Sequence, residues 1–363
     1  MDPRIREHAE TVVEHSTDVQ PGDNVVISAP SVAEDLAVAL HEAVGDRGAT
    51  PVYLAKDSRA SRAYLKAADD DDIETPTHLQ ALYEESDVLL RVRAETNATE
   101  QGDVDPETQA TATAARRPVQ EVALSKRWCL TQFPSRAGAQ LAGMSTDGYR
   151  NFVWDAINKD WGAVREHQQQ MVELLDPANE VRIVSGDTTD VRMSVDGMHT
   201  INDYGENNLP GGEVFTAPVV DSVEGEVLFD KPLYHQGREI TGAHLVFEDG
   251  EVVDHAADQN EDLLTEVLNT DAGASRLGEL GIGMNRDIDR FSYNMLFDEK
   301  MGDTVHMAVG RAYDDTVGEN REANQSAVHV DMIVDMSEDS YIEVDGGIVQ
   351  RDGTFRFEEG FEE

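Results

Sequence analysis

An α/β N-terminal domain followed by an α+β C-terminal domain rich in antiparallel strands is the fold class predicted for this chain of 363 residues. Three observations predict it. Strand-like and helix-like segments alternate through the first half, the rhythm of a parallel sheet. A helix-period segment stops at Asp176-Pro177, where the proline ring disfavours continuation. From Val181 onward, short β-prone runs recur between Gly and Asp punctuation. The division is therefore drawn as residues 1–177 and 178–363, each long enough to bury a core.

In the first part, Asn24–Ser28 is a short apolar run after the turn Pro21-Gly22-Asp23. Val32–Val44 carries apolar residues at helical spacing and ends near Gly45. Thr50–Leu54 reads as a second strand, His78–Glu84 as a helix and Asp87–Val92 as a third strand. Glu107–Ala115, Val119–Ser125 and Trp161–Leu175 read as helices. In the second part, strands are predicted at Val181–Val184, Asp190–Ser194, Glu213–Thr216, Glu226–Phe229, His244–Phe247, Glu251–Val253, Val305–Val309, Ala327–Val334 and Tyr341–Val344. Glu261–Asn269 is an amphipathic helix among them.

Charge separates the classes of partner. Acidic residues number 73 against 29 basic ones, for a net charge of −44. That charge is spread through every segment, so self-repulsion acts on the whole fold. Salt shortens its range to roughly 3 Å at 1 M, and adaptation to a high-salt cytoplasm, as in halophilic archaea, is expected. The ordinary alternative is an acidic protein of a low-salt cell. The cluster Asp69–Asp72 reads as a solvated turn against this background. Nucleic acid is not expected as a partner, because phosphate binding needs a basic surface. A membrane is not expected either, since no 18-residue apolar span occurs and Met1–Glu7 lacks an apolar signal core. A cytoplasmic location follows as an expectation. The lone Cys129 excludes an intrachain disulfide and reads as a core thiol beside Trp128 and Leu130.

The chemistry-bearing residues lie in four short contexts. They are Asn-Leu-Pro-Gly-Gly-Glu-Val-Phe-Thr-Ala-Pro (208–218), Leu-Gly-Glu-Leu-Gly-Ile-Gly-Met-Asn (277–285), the run Asp298–Tyr313, and Asn-Gln-Ser-Ala-Val-His-Val-Asp (324–331). Glu213, Glu279, His306, His329 and Asp331 supply three carboxylates and two imidazoles, a suitable set for two divalent metals of the zinc, cobalt or manganese type. His329 and Asp331 are two apart in a strand-like run and share a face, which is costly unless something binds them. Each residue has an ordinary reading by itself. His306 would be a hydrogen-bonded core histidine, Glu213 and Glu279 solvated loop carboxylates, His329 and Asp331 a surface ion pair, and Tyr313 packing. The five together point to a metallohydrolase.

In order, context and spacing, these segments resemble the aminopeptidase T family, the M29 metallopeptidases, over the whole length of the chain. The resemblance implies that Glu213, Glu279, His306, His329 and Asp331 are ligands of two divalent metal ions, and that Tyr313, seven residues beyond His306, is the active-site tyrosine. It also implies peptide substrates with a free N-terminus, removal of single N-terminal residues, and a homodimer. Thr189-Asp190 matches a family pair of uncertain role. Gly211 stands where other members often carry Ser or Thr, and Lys300–Thr304 departs from the Asp-Glu-Asn-Ala form, which bears on substrate preference. A metal-dependent phosphoesterase uses the same ligand types and would want Lys300, Arg286, Arg290 or Arg311 beside the metals. A non-enzymatic metal-binding descendant is the third reading. No Gly-x-Ser-x-Gly elbow, phosphate-binding Gly-x-x-x-x-Gly-Lys loop or His-Glu-x-x-His helix occurs.

Overall fold

Apolar runs dense in valine and leucine set the first sheet. Val25, Val26 and Ile27 of the Asn24–Pro30 strand and Val88, Leu89 and Leu90 of the Val88–Arg93 strand are buried in succession. Such runs belong in a parallel sheet covered on both faces. A computed structural model describes residues 1–235 and 238–362 and shows this sheet with five strands. Its order is Thr50–Lys56, Asn24–Pro30, Val88–Arg93, Arg127–Gln132 and Asn208–Leu209, every pairing parallel. Among the helices around it, Pro3–Glu10 starts at Asp2, which accepts from the Arg4 amide, and Pro106–Leu124 starts at Asp105, which accepts from Glu107.

Contacts divide the chain into two units, Met1–Lys159 with Gly205–Gly211, and Asp160–Tyr204 with Gly212–Glu363. This differs from the division expected at residue 177. The Trp161–Leu175 helix buries Met171 and Leu175 in the hydrophobic core of the second unit, so it belongs there. The two helices expected at 107–115 and 119–125 are one, running through Pro118. The strand Arg127–Gln132, which holds the buried Cys129, and the helices Arg136–Leu141 and Thr146–Ile157 were not anticipated.

The second unit is built on two antiparallel sheets. Eight strands run in the order Glu251–Ala256, Ala243–Glu248, Glu224–Phe229, Thr189–Ser194, Glu180–Ser185, Ser340–Val344, Gly347–Arg351 and Thr354–Phe355. Five run in the order His329–Asp335, Thr304–Gly310, Leu277–Gly283, Glu213–Thr216 and Ile201–Asp203. Side chains alternate across the five-stranded sheet. Val214, Leu280, Ile282, Val305, Met307, Val330 and Met332 enter one core with Val181, Ile183, Val191 and Met193 of the eight-stranded sheet. Truncating a member such as Met307 to Ala would cost about 2–5 kcal/mol. The opposite face carries Asp203, Glu213, Glu279, His306, His329 and Asp331. No helix among the described residues is long and apolar enough to cross a membrane.

Candidate metal centre

Each of the five expected ligands stands opposite a glycine or alanine on a neighbouring strand. Glu213 pairs with Gly283, Glu279 with Ala308, His306 with Gly281, His329 with Gly310, and Asp331 with Ala308. Cross-strand neighbours ordinarily touch through their side chains, so small residues there leave a hollow into which the polar groups turn. A register shift between Leu277 and Glu279 marks a bulge beside the latter. The hollow is most severe at Gly281, where an added Cβ would lie 2.0 Å from His306 Cε1. Gly212, with φ +116°, brings the start of the Glu213 strand against Asn285.

The polar atoms form one connected network. His306 Nε2 lies 3.0 Å from Glu279 Oε1 and 3.4 Å from Glu213 Oε2. His329 Nε2 lies 3.3 Å from Asp331 Oδ1 and 3.7 Å from Glu279 Oε2. Two overlapping groups result, Glu213–Glu279–His306 and Glu279–His329–Asp331, each with one donor atom per residue and all such atoms within 4.8 Å of one another. Glu279 belongs to both. Glu213 Oε2 and Glu279 Oε2 are buried and have no hydrogen-bond partner among the described residues. Orphaned buried carboxylate oxygens are costly unless a cation meets them, so the donor set fits divalent metal.

The tautomer of His329 is set from behind. Its Nδ1–H donates to the Arg311 carbonyl at 2.7 Å, because a carbonyl can only accept. Nε2 is thereby turned toward the carboxylates as the end free to ligate a metal.

Protonation follows burial and charge. Burial raises Glu213 and Glu279 above the ordinary carboxylate range, against the pull of Lys300 on the first and His306 on the second. Burial disfavours the charged form of His306, but the Glu279 hydrogen bond and neighbouring carboxylates outweigh it and bring the ring to about 9. His329 follows the same balance with Asp331, reaching about 10. Asp331 is desolvated too, yet the His329 charge brings it down to about 2. Partial burial, then the charges of Glu279 and Asp331, push the Tyr313 hydroxyl upward, so it stays protonated near neutral pH. Tyr313 is 48% exposed, with its ring centroid 4.8 Å from that of His329 and 6.1 Å from that of Phe215.

The sequence singled out Lys300 as a possible phosphate neutraliser and as the start of a departure from the family form. Its ammonium instead lies 3.0 Å from Glu213 Oε1 and 3.7 Å from Asp203 Oδ2, and pairs with Glu299. Asp203 was missed, because only the sheet register brings it opposite Glu213. Thr189 and Asp190 lie in the eight-stranded sheet, where Thr189 Oγ1 accepts from the Leu228 amide and Asp190 pairs with Arg182. Asp69–Asp72 is an exposed turn.

An α/β unit and an antiparallel unit, the latter with carboxylates and imidazoles clustered on one sheet face, carry a donor set suited to divalent metal. Residues 1–355 match the M29 peptidase family, described as thermophilic metalloproteases, and the chain belongs to that family. Aminopeptidase 2 of Geobacillus stearothermophilus is 29% identical over 399 aligned positions, covering 96% of this chain and 94% of the relative. Aminopeptidase T of Thermus aquaticus is 37% identical over 159 residues, 40% of this chain and 37% of the relative. The solved structure of wild-type AmpT from Thermus thermophilus superposes with TM-score 0.87 at 24% identity, covering 98% of this chain and 99% of that one. A 2,5-dihydroxypyridine dioxygenase from Pseudomonas putida KT2440 shares the fold at TM-score 0.61 and 13% identity, covering 99% of each chain. The fold alone therefore does not define the chemistry, and the side chains must.

Proposed function

We propose that the protein is a metal-dependent aminopeptidase that removes N-terminal residues from peptides, using two divalent metal ions. In this reading Glu213, Glu279 and His306 would hold one ion and Glu279, His329 and Asp331 the other, Glu279 being common to both groups. The observation that carries it is the membership of Glu279 in both ligand groups, its two oxygens facing different imidazoles.

Charge supports the number two. Asp203, Glu213, Glu279, Glu299 and Asp331 form one network with the single ammonium of Lys300. With both imidazoles neutral as ligands, five carboxylates against one ammonium leave four negative charges, which two divalent cations cancel. Bound there, the ions would supply an activated water near neutral pH and polarise the scissile carbonyl. The protein's own groups do the rest. Arg311 holds His329 in its ligating tautomer, and the protonated Tyr313 hydroxyl donates to the oxyanion that develops on the substrate. A free substrate α-amine is a natural further ligand, which accounts for cleavage from the N-terminus. The native metal is drawn from zinc, cobalt and manganese.

The phosphoesterase reading is disfavoured by the neighbouring cations, each already paired. Lys300 is held by three carboxylates, Arg286 by Asp303 and Glu358, Arg290 by Asp289, and Arg311 by Asp314 at 3.6 Å. The net charge of −44 supports a cytoplasm of high salt as the working medium, and a homodimer as the working assembly comes with the family.

The test is release of amino acids from short peptides with free and acetylated N-termini in multimolar KCl, after chelation and after re-addition of each metal. Metal-restored release from the free-amine peptides alone is expected. Release from acetylated peptides, or from none while a phosphoester is cleaved, would overturn the assignment.

A further inference from the structure

Lys300 is fully buried, an unusual place for a side chain that ordinarily keeps its ammonium in water. Local backbone holds it there. Its carbonyl accepts from the Asn285 amide at 3.0 Å, and its own amide donates to Phe297 at the end of the short Met295–Asp298 helix. Upstream, the buried carboxylate of Asp298 accepts from the Ser292 amide and hydroxyl, both at 2.7 Å, and from the Asn294 amide at 2.9 Å. The turn that delivers Lys300 is thus pinned at both ends.

At the tip, the ammonium meets three carboxylates: Asp203 and Glu213 from two strands of the sheet, and its sequence neighbour Glu299. A buried ammonium costs several kcal/mol unless it is paired and hydrogen-bonded, and these partners meet that cost. The arrangement at Glu213 is the informative one. Oε1 is taken by Lys300 at 3.0 Å, while Oε2 faces His306 Nε2 at 3.4 Å with no hydrogen-bond partner among the described residues. The backbone of Glu213 is fixed as well, because its carbonyl accepts from Gln168 Nε2 at 2.8 Å. One oxygen is therefore engaged by protein and the other left for a ligand.

We propose that Lys300 is a positioning residue of the metal centre, holding Glu213 as a one-oxygen ligand by occupying its other oxygen. The inference rests on the metalloaminopeptidase reading and adds a role outside the five ligands and Tyr313. Without the ammonium, Glu213 is free to swing and chelate with both oxygens, raising the coordination number of its metal and filling a position that water or substrate needs. Metals with open positions are the reactive ones.

The experiment compares wild type with Lys300→Met after chelation and reloading with cobalt(II), whose visible absorption weakens as coordination number rises. Wild type is expected to take up two ions per chain. Lys300→Met is expected to absorb more weakly per bound cobalt and to lose about 10–100-fold in kcat, the range for losing a group that orients a metal ligand, with KM unchanged. Should Lys300→Met fail to fold, Lys300→Leu, which likewise offers no donor to Glu213 Oε1, is expected to move both readings in the same direction. A variant that folds with wild-type cobalt absorption and wild-type kcat, and differs only in thermal stability, would overturn the positioning role. Absence of metal uptake by wild type would instead overturn the underlying metal-centre reading, so the two failures are distinguishable.

Discussion

The imidazole of His306 lies directly over the backbone of Gly281, so closely that an added Cβ would stand 2.0 Å from its Cε1 and 2.1 Å from its Nε2. This contact follows from the sheet register, which pairs the two residues across adjacent strands. It places Nε2 within reach of both Glu213 and Glu279. Gly281→Ala should therefore displace the ring rather than merely crowd it. The expected result is about 10–100-fold weaker metal binding, the usual cost of disturbing a ligand's support. Titration of the chelated variant with zinc measures this. Affinity equal to wild type would mean that the ring shifts without leaving the site.

Glu279 is the one residue common to both ligand groups. Its loss should empty both positions, whereas loss of a residue from one group should empty one. Glu279→Ala is expected to bind no metal tightly, while Asp331→Asn and Glu213→Gln each keep about one ion with greatly reduced turnover, the expectation for a site stripped of one charged ligand. Metal content after gel filtration decides it. One ion retained in Glu279→Ala would remove the assignment of Glu279 to both positions.

Tyr313 is half exposed and borders the ring of His329, so a packing role and a catalytic role are both open to it. Packing survives removal of the hydroxyl. Donation to the oxyanion does not. Tyr313→Phe should lower kcat by about 10²–10³-fold, the range for one such donor, with metal content unchanged. Wild-type kcat in this variant would assign the ring to packing against His329 and Phe215.

The clustering of the five candidate ligands was legible because each sits in a short context with few alternatives, and because Glu213, His306 and His329 begin or occupy runs of β character. The strand between them was not. Leu277–Gly283 holds three glycines, which weaken a strand in isolation, yet it is a buried central strand of the five-stranded sheet. Its glycines make sense only beside their neighbours: Gly281 under His306, Gly278 against the Gly310 carbonyl, and Gly283 against the Met301 carbonyl. The cluster around Lys300 was illegible for a similar reason. Glu299 is the sequence neighbour of Lys300 and was legible as a residue near the site, but Asp203 and Glu213 come from separate strands and meet that pair only once the sheet and the turn have formed. Helix periodicity found Trp161–Leu175, but periodicity alone does not say which core receives an apolar face.

His8 supplies a pH dependence in the first unit. It is buried, with Nε2 2.7 Å from Thr131 Oγ1 and its ring edge-on to Trp154, and desolvation lowers it from 6.5 to about 3. The folded ring is therefore neutral across the range in which the unfolded ring takes up a proton. Because the unfolded state binds the extra proton, stability falls as pH drops below 6.5 and goes on falling until about 3. Above 6.5 the residue makes no difference. Between pH 7.5 and 5.5 this one group should remove about 1.4 kcal/mol. Acidic side chains held below their usual range, such as Asp190 beside Arg182, lose stabilisation at lower pH still and act equally in any His8 variant. The informative quantity is accordingly a difference between proteins. Denaturant unfolding of the first unit, followed at both pH values, should show His8→Gln losing about 1.4 kcal/mol less than wild type on acidification. Equal losses in the two proteins would mean that the His8 ring accepts its proton in the folded state.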